Sequence, residues 1–415
     1  MPPLQLMRAA FTILGVLLCL FLIQASARFG FSRLLTRYAL ISNSVSVANE
    51  AVELSPSDPE AHRARAAVLN RLQMPGEAVK SLETAATLRY RDDYLWIELG
   101  NTKEELGNTA GALAAMDQAV HWAPYYAHTH WQRGNLLLRM GRPDEAFAEL
   151  RKAAAANQTY FPNLIDFAWG ISGGDVKVTE DLIGITNDNE RLALIRFLAG
   201  KGEGNEVIHQ LALLSRPLFR ENIREIVRLL LAAKAFREAS ELWGGSGPPI
   251  LNASFEDPFV LNDSGFGWIV SPDQTKNHLA VDVSEKLDGT KSLQISLDGV
   301  WTSDTPLLSQ TIIVEPETTY RLSFSVKTKD LVTGGPPVIT VSDATNNQLL
   351  GKSENLPTAT SPWISLNFDF TTLPGSQAAV IRLQRNNCDS SQCPIFGTLW
   401  LDQFHIDQTK TTRKQ

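Results

Sequence analysis

Residues 93–126 read DYLWIELGNTKEELGNTAGALAAMDQAVHWAPYY, and this stretch decides the N-terminal fold. Small residues stand at Gly100, Ala112 and Ala119, large ones at Trp96 and Leu99, a glycine at Gly107 and a proline at Pro124. A shift of 34 residues forward meets Gly134, Gly141, Ala146, Leu150 and Ala153. A shift of 34 back meets Ala66, Ala78, Leu82 and Ala85, and one more step back meets Ala48, Ala51 and Pro56. A fixed period of this length marks a stack of identical two-helix units. The small residues permit close helix approach, the large ones fill the gap to the neighbouring unit, Gly107 turns the chain and Pro124 stops the second helix.

The frame resembles the tetratricopeptide (TPR) repeat, with seven of its eight usual positions filled in 93–126 and Met116 standing at the aromatic one. Framed repeats are expected at 59–92, 93–126 and 127–160, within a TPR region of 28–160 whose first unit is degenerate. In the first frame Gln73 and Tyr90 replace the turn glycine and the final proline. The resemblance implies a concave groove for a protein partner, lined by Tyr94, Lys103, His128, Gln132, Asn135 and Arg139. Residues 161–244 keep helical spacing but lose the frame, and read as an irregular continuation.

Gly244-Gly245-Ser246-Gly247-Pro248-Pro249 breaks the chain, and the apolar period then changes from helical to alternating. Leu293–Leu297, Tyr320–Val326, Ile364–Phe370 and Ala379–Leu383 read as half-buried strands of an antiparallel β-sandwich. Asn252-Ala253-Ser254-Phe255-Glu256, Gly267-Trp268, Gly289–Leu293, Gln310–Tyr320, Ser361-Pro362-Trp363 and Leu399-Trp400-Leu401-Asp402 follow in an order that resembles carbohydrate-binding-module jelly rolls of bacterial glycoside hydrolases. The resemblance covers 249–408, with a polar tail at 409–415. A sugar site is expected at Trp301, exposed in a polar loop, and Trp363, with Arg382, Arg385 and Asn386 as polar partners. Trp268 and Trp400 are expected in the core. In similar modules an acidic residue near the first strand and an Asp on the last hold a structural Ca2+, and Glu256 and Asp402 match those places. The alternative is a pair of capping carboxylates without metal.

Arg8 precedes an apolar run from Ala9 to Ile23, and Ala25-Ser26-Ala27 follows. Residues 1–27 therefore read as a signal anchor, or as a signal peptide cleaved before Arg28. Arg28, Arg33 and Arg37 after the run would, by the positive-inside rule, hold the bulk of the chain in the cytoplasm. Cys388 and Cys393, five apart in a polar stretch, instead read as a disulfide formed in an oxidising compartment. Export with an anchor is the expectation taken forward. The net charge of −7 and scattered Lys and Arg exclude a nucleic-acid partner.

No enzymatic motif survives inspection. Gly170-Ile171-Ser172-Gly173-Gly174 fits G-x-S-x-G but follows a helix, where a turn is the ordinary reading. His128 and His130, two apart on a helix, point in different directions and cannot share a metal. Asp298, Asp304 and Asp343 are carboxylates with no evident pairing across a cleft. The layout resembles bacterial envelope proteins linked to exopolysaccharide production or export. It implies a non-enzymatic scaffold, with a glycan hydrolase or lyase and a purely structural sandwich as the alternatives.

Overall fold

The computed structural model describes residues 3–245, 249–257, 265–270, 278–299, 301, 305–388 and 393–409. The chain forms two compact units, Met1–Ile185 and Thr186–Gln415. The described residues hold fourteen α-helices followed by two antiparallel sheets.

In the first unit, α1 (Pro3–Ser42) is one unbroken helix that passes through Ala25-Ser26-Ala27. Its Phe11–Ser42 part is long and apolar enough to cross a membrane. Its last turns do a second job. Ser32 and Ala39 are buried, Ser32 Oγ donates to Ala51 O, and Arg33 pairs with the buried Asp58 at 2.7 Å. The end of α1 thus supplies the first helix of the degenerate unit, whose second helix is α2 (Val45–Leu54).

Three regular pairs follow: α3 (Pro59–Arg71) with α4 (Pro75–Leu88), α5 (Asp93–Glu105) with α6 (Thr109–Trp122), and α7 (Ala127–Arg139) with α8 (Pro143–Ala156). Gly107 and Gly141 turn each pair at φ +73° and +71°, and Gln73 adopts φ +60° at the matching place. The backbone demand is therefore kept even where the glycine is not. Gly134 shows how tight the pairs are, since a Cβ there would lie 2.7 Å from Leu150 Cγ. At Gly100 the nearest atom is the flexible tip of Met116, at 2.9 Å. Gly134→Ala is expected to cost about 1–3 kcal/mol of urea-measured stability and Gly100→Ala less. The reverse order would show that Leu150 yields more readily than Met116.

One device recurs with the repeat. His62, Trp96 and His130 each place a ring nitrogen 2.8 Å from the carbonyl six residues earlier, of Pro56, Tyr90 and Pro124. The ring satisfies an acceptor at the end of the preceding helix, where the backbone has no further N–H to offer. The unit closes with α9 (Phe161–Ser172), capped by Gly173 at φ +67°, and α10 (Val176–Ile183). Gly170–Gly174 is thus a helix end, and Ser172 bonds Trp169 O and Thr179.

The second unit opens with four helices: α11 (Asp188–Lys201), α12 (Gly204–Ala212), α13 (Arg220–Ala232) and α14 (Phe236–Gly244). Residues 246–248 of the glycine-proline break lie outside the described residues, as do 410–415 of the polar tail. The strands are β1 (Ile269–Val270), β2 (His278–Asp282), β3 (Ser292–Asp298), β4 (Leu308–Ile313), β5 (Thr319–Thr333), β6 (Pro337–Asp343), β7 (Leu349–Lys352), β8 (Ala359–Thr371), β9 (Ala378–Arg385) and β10 (Ile395–Gln408). Sheet A runs β1-β4-β9-β6-β7 and sheet B runs β2-β3-β10-β5-β8. Leu308, Ile312, Ile339, Val341, Ile381 and Leu383 of sheet A meet Leu293, Ile295, Leu322, Phe324, Leu399 and Leu401 of sheet B in one core. Because the side-chain period of a strand is two, the alternate residues of β4, β6 and β9 point away from that core. Trp268 and Trp400 are buried as expected, with indole N–H bonds to Asn252 O and Asp282.

Candidate functional site

The outward side of sheet A carries Ser309, Arg382, Thr340 and Lys352 in one row across β4, β9, β6 and β7, set by the ladder register. Arg382, Thr340 and Lys352 of that row, with Gln384, Ser342 and Asn347 beside them, line an open cleft of about 630 Å³. The floor is buried hydroxyl, with Thr340 4% and Ser342 5% exposed. The side chains are held by one another. Arg382 Nη2 donates to Asn347 Oδ1 (2.9 Å), Thr340 Oγ1 to Gln384 Oε1 (2.8 Å), Lys352 Nζ to Asn386 Oδ1 (2.6 Å), and Asn386 Nδ2 to Asn355 Oδ1 (2.7 Å). Burial pushes the Arg382 guanidinium below its ordinary value, and it stays charged at neutral pH. The cleft is thus a set of pre-positioned donors and amides over a hydroxyl floor, suited to a ligand rich in oxygen.

The residues expected at a sugar site do not all meet here. Arg382 and Asn386 line the cleft. Trp301 is not exposed: it is 3% accessible, sits in the core and donates its indole N–H to Thr305 O. Polar neighbours suggested exposure, but core demand for a large ring prevails. Asp304 of that loop lies outside the described residues. Trp363 is half-buried on β8, in the other sheet. Arg385 borders the cleft, yet its guanidinium is spent on the fold. It donates to Trp301 O (2.6 Å), Cys393 O (2.8 Å), Gly335 O (3.3 Å) and Thr333 Oγ1 (2.9 Å). Cys388 and Cys393 form the expected disulfide, with Cα atoms 5.9 Å apart, and residues 389–392 between them lie outside the described residues. Thr340, Ser342, Gln384, Asn347 and Lys352 were missed. Their signal was the polar half of alternating runs, Thr340 and Ser342 in 337–343 and Arg382 and Gln384 in 378–385.

Glu256 and Asp402 converge on one loop. Glu256 accepts N–H bonds from Thr290 (2.6 Å) and Lys291 (3.0 Å), which with the Thr290 hydroxyl hold its carboxyl below the usual range. The fully buried Asp402 accepts from Leu287 (2.9 Å), Asp288 (3.0 Å) and Gln403 (2.7 Å), while burial pushes its carboxyl up. N–H donors surround both carboxylates, the opposite of a cation's oxygen shell. Among the described residues no three acidic, His or Cys side chains gather so as to hold a metal. As they stand, these residues do not fit a calcium shell and act as loop caps. Asp343 is likewise a turn cap, accepting from Thr345 N and Asn346 N.

In the first unit Tyr94 stacks on His128 (5.5 Å), and Arg139 makes two bonds to Glu104 (2.5 and 2.7 Å), so both contacts bridge α5 and α7. Gln132 and Asn135 lie half-buried on α7. Lys103 does not join them, because its Nζ turns to Glu83 of α4, 2.8 Å away. His130 is buried against Glu149, away from His128.

Residues 127–160 match the tetratricopeptide repeat, and residues 248–390 match a carbohydrate binding domain. Solved structures with a similar fold include one described as "CBM4 structure and function", 15% identical, covering 39% of this chain and 99% of that one at TM-score 0.30. Another is YrrB, described as a TPR protein with an unusual peptide-binding site, 20% identical over 37% and 84% of the two chains at TM-score 0.31. A third is PilF of Pseudomonas aeruginosa, 17% identical over 54% and 98% at TM-score 0.33. Among curated proteins none matches. The TPR region is of a kind that binds proteins or peptides and the carbohydrate binding domain of a kind that binds glycans, and neither kind is catalytic.

Proposed function

We propose that this chain is a membrane-anchored, exported scaffold that holds a polysaccharide in the sheet A cleft and a protein partner on its TPR helices, in exopolysaccharide production or export. The observation that carries the reading is the row Ser309–Arg382–Thr340–Lys352, with its buried hydroxyl floor, in a segment matched by a carbohydrate binding domain. Anchoring is supported by the unbroken apolar α1 and export by the disulfide. Calcium has no part in the reading. The test is retention of the full chain in detergent on a panel of immobilised polysaccharides. Retention is expected, and Gln384→Ala should weaken it several-fold by removing one hydrogen-bonding amide. A folded chain retained by no polymer would sink the reading, and turnover of any polymer would replace it with the hydrolase or lyase alternative.

A further inference from the structure

The cleft has a charge as well as a shape. Arg382 and Lys352 flank Thr340 in the ladder, two strand spacings apart or about 10 Å. Among the described residues no Asp or Glu lines the cleft, although the chain as a whole is acidic at −7. Among the described residues neither of these two cations is paired with a carboxylate, whereas Arg321, Arg237 and Lys327 of the same unit each are. Among the described residues no aromatic ring lines the cleft either. A neutral sugar is usually gripped by stacking its C–H face on such a ring. A concave site with fixed cations, no counter-charge and no stacking platform selects instead for negative charge on the ligand.

We propose that the cleft takes an acidic polysaccharide whose sugar residues carry carboxylates. This rests on the carbohydrate reading above. Arg382, already oriented by Asn347, presents a planar donor fork that matches a carboxylate. Lys352 supplies a point charge on the other side of the Thr340 hydroxyl, and Gln384 and Ser342 remain for sugar hydroxyls. Partial burial of Arg382 strengthens the attraction, because less water screens it.

The experiment immobilises polygalacturonate, alginate and hyaluronate, each beside its carboxyl-reduced neutral counterpart, and measures retention of the full chain in detergent. At least one acidic polymer should bind, with its neutral counterpart about tenfold weaker or more. Binding should weaken between 0.05 and 0.5 M NaCl, since ions screen the contact. Arg382→Gln and Lys352→Gln should each weaken it about tenfold, with unchanged thermal midpoints, and Arg382→Lys should restore part of the loss. Equal binding to the neutral counterparts would overturn the acidic class and leave the carbohydrate reading standing. Acidic binding retained by both Gln variants would move the site elsewhere and overturn the proposal. No binding to any acidic or neutral polymer would overturn both.

Discussion

Arg385→Ala is expected to lower the stability of the β-sandwich by about 4 kcal/mol. Arg385 is 4% exposed and its guanidinium donors serve three carbonyls and a hydroxyl from three loops. Truncation leaves those acceptors without donors, at about 1–3 kcal/mol for each one that water does not reach, and opens a cavity beside Trp301. For a unit of this size the thermal midpoint should fall by about 10 °C. Arg385→Lys should recover little, because a single ammonium cannot address carbonyls on several sides. Arg382→Ala, in the open cleft, should cost under about 1 kcal/mol by the same thermal unfolding measurement. A small loss for Arg385→Ala would mean that the three loops hold their places without it.

Glu149→Ala is expected to destabilise the TPR unit by about 3 kcal/mol at neutral pH. Glu149 is buried and lies 2.6 Å from His130 Nδ1, 2.8 Å from Lys152 Nζ and 3.3 Å from Arg133 Nη1. Removing the carboxylate leaves Nδ1 of the buried His130 without its partner, while Arg133 keeps Asp117 at 2.8 Å, and breaking such a buried pair is costly. Burial alone would raise the Glu149 carboxyl, but hydrogen bonds from Lys152 and His130 outweigh it and the net direction is down. A carboxyl lowered in the folded state contributes stability above its unfolded value, and loses it as pH falls through the folded value. Urea unfolding of wild type and Glu149→Gln should therefore differ most near pH 7 and converge in acid. A gap that widens in acid would contradict the assignment.

Much of this molecule was legible in its sequence. The 34-residue frame placed α3 to α8, because each unit must bury the same face on the same neighbour. Alternation placed β3, β5, β8 and β9. The site was less legible. Arg382 and Asn386 line the cleft, but Trp301 and Arg385 were read as ligand contacts when their neighbours in space make one a core ring and the other a loop clamp. Lys103 stood at a groove position in the frame, yet Glu83 on α4 draws it away. Loop polarity and repeat position describe a residue's neighbours along the chain, and these three were decided by neighbours far from them in sequence.

The opening frame, DYLWIELGNTKEELGNTAGALAAMDQAVHWAPYY, therefore determined by itself that the first unit is a stack of helix pairs, and the alternating runs after residue 249 determined a sandwich. Both are periodic signals, and a period is local. Only the tertiary structure decided that the end of α1 is also the first helix of the stack, and that Lys352 and Arg382 stand on either side of Thr340 in one cleft. Those facts depend on strand order and helix docking, which long-range pairing fixes and no window of sequence contains.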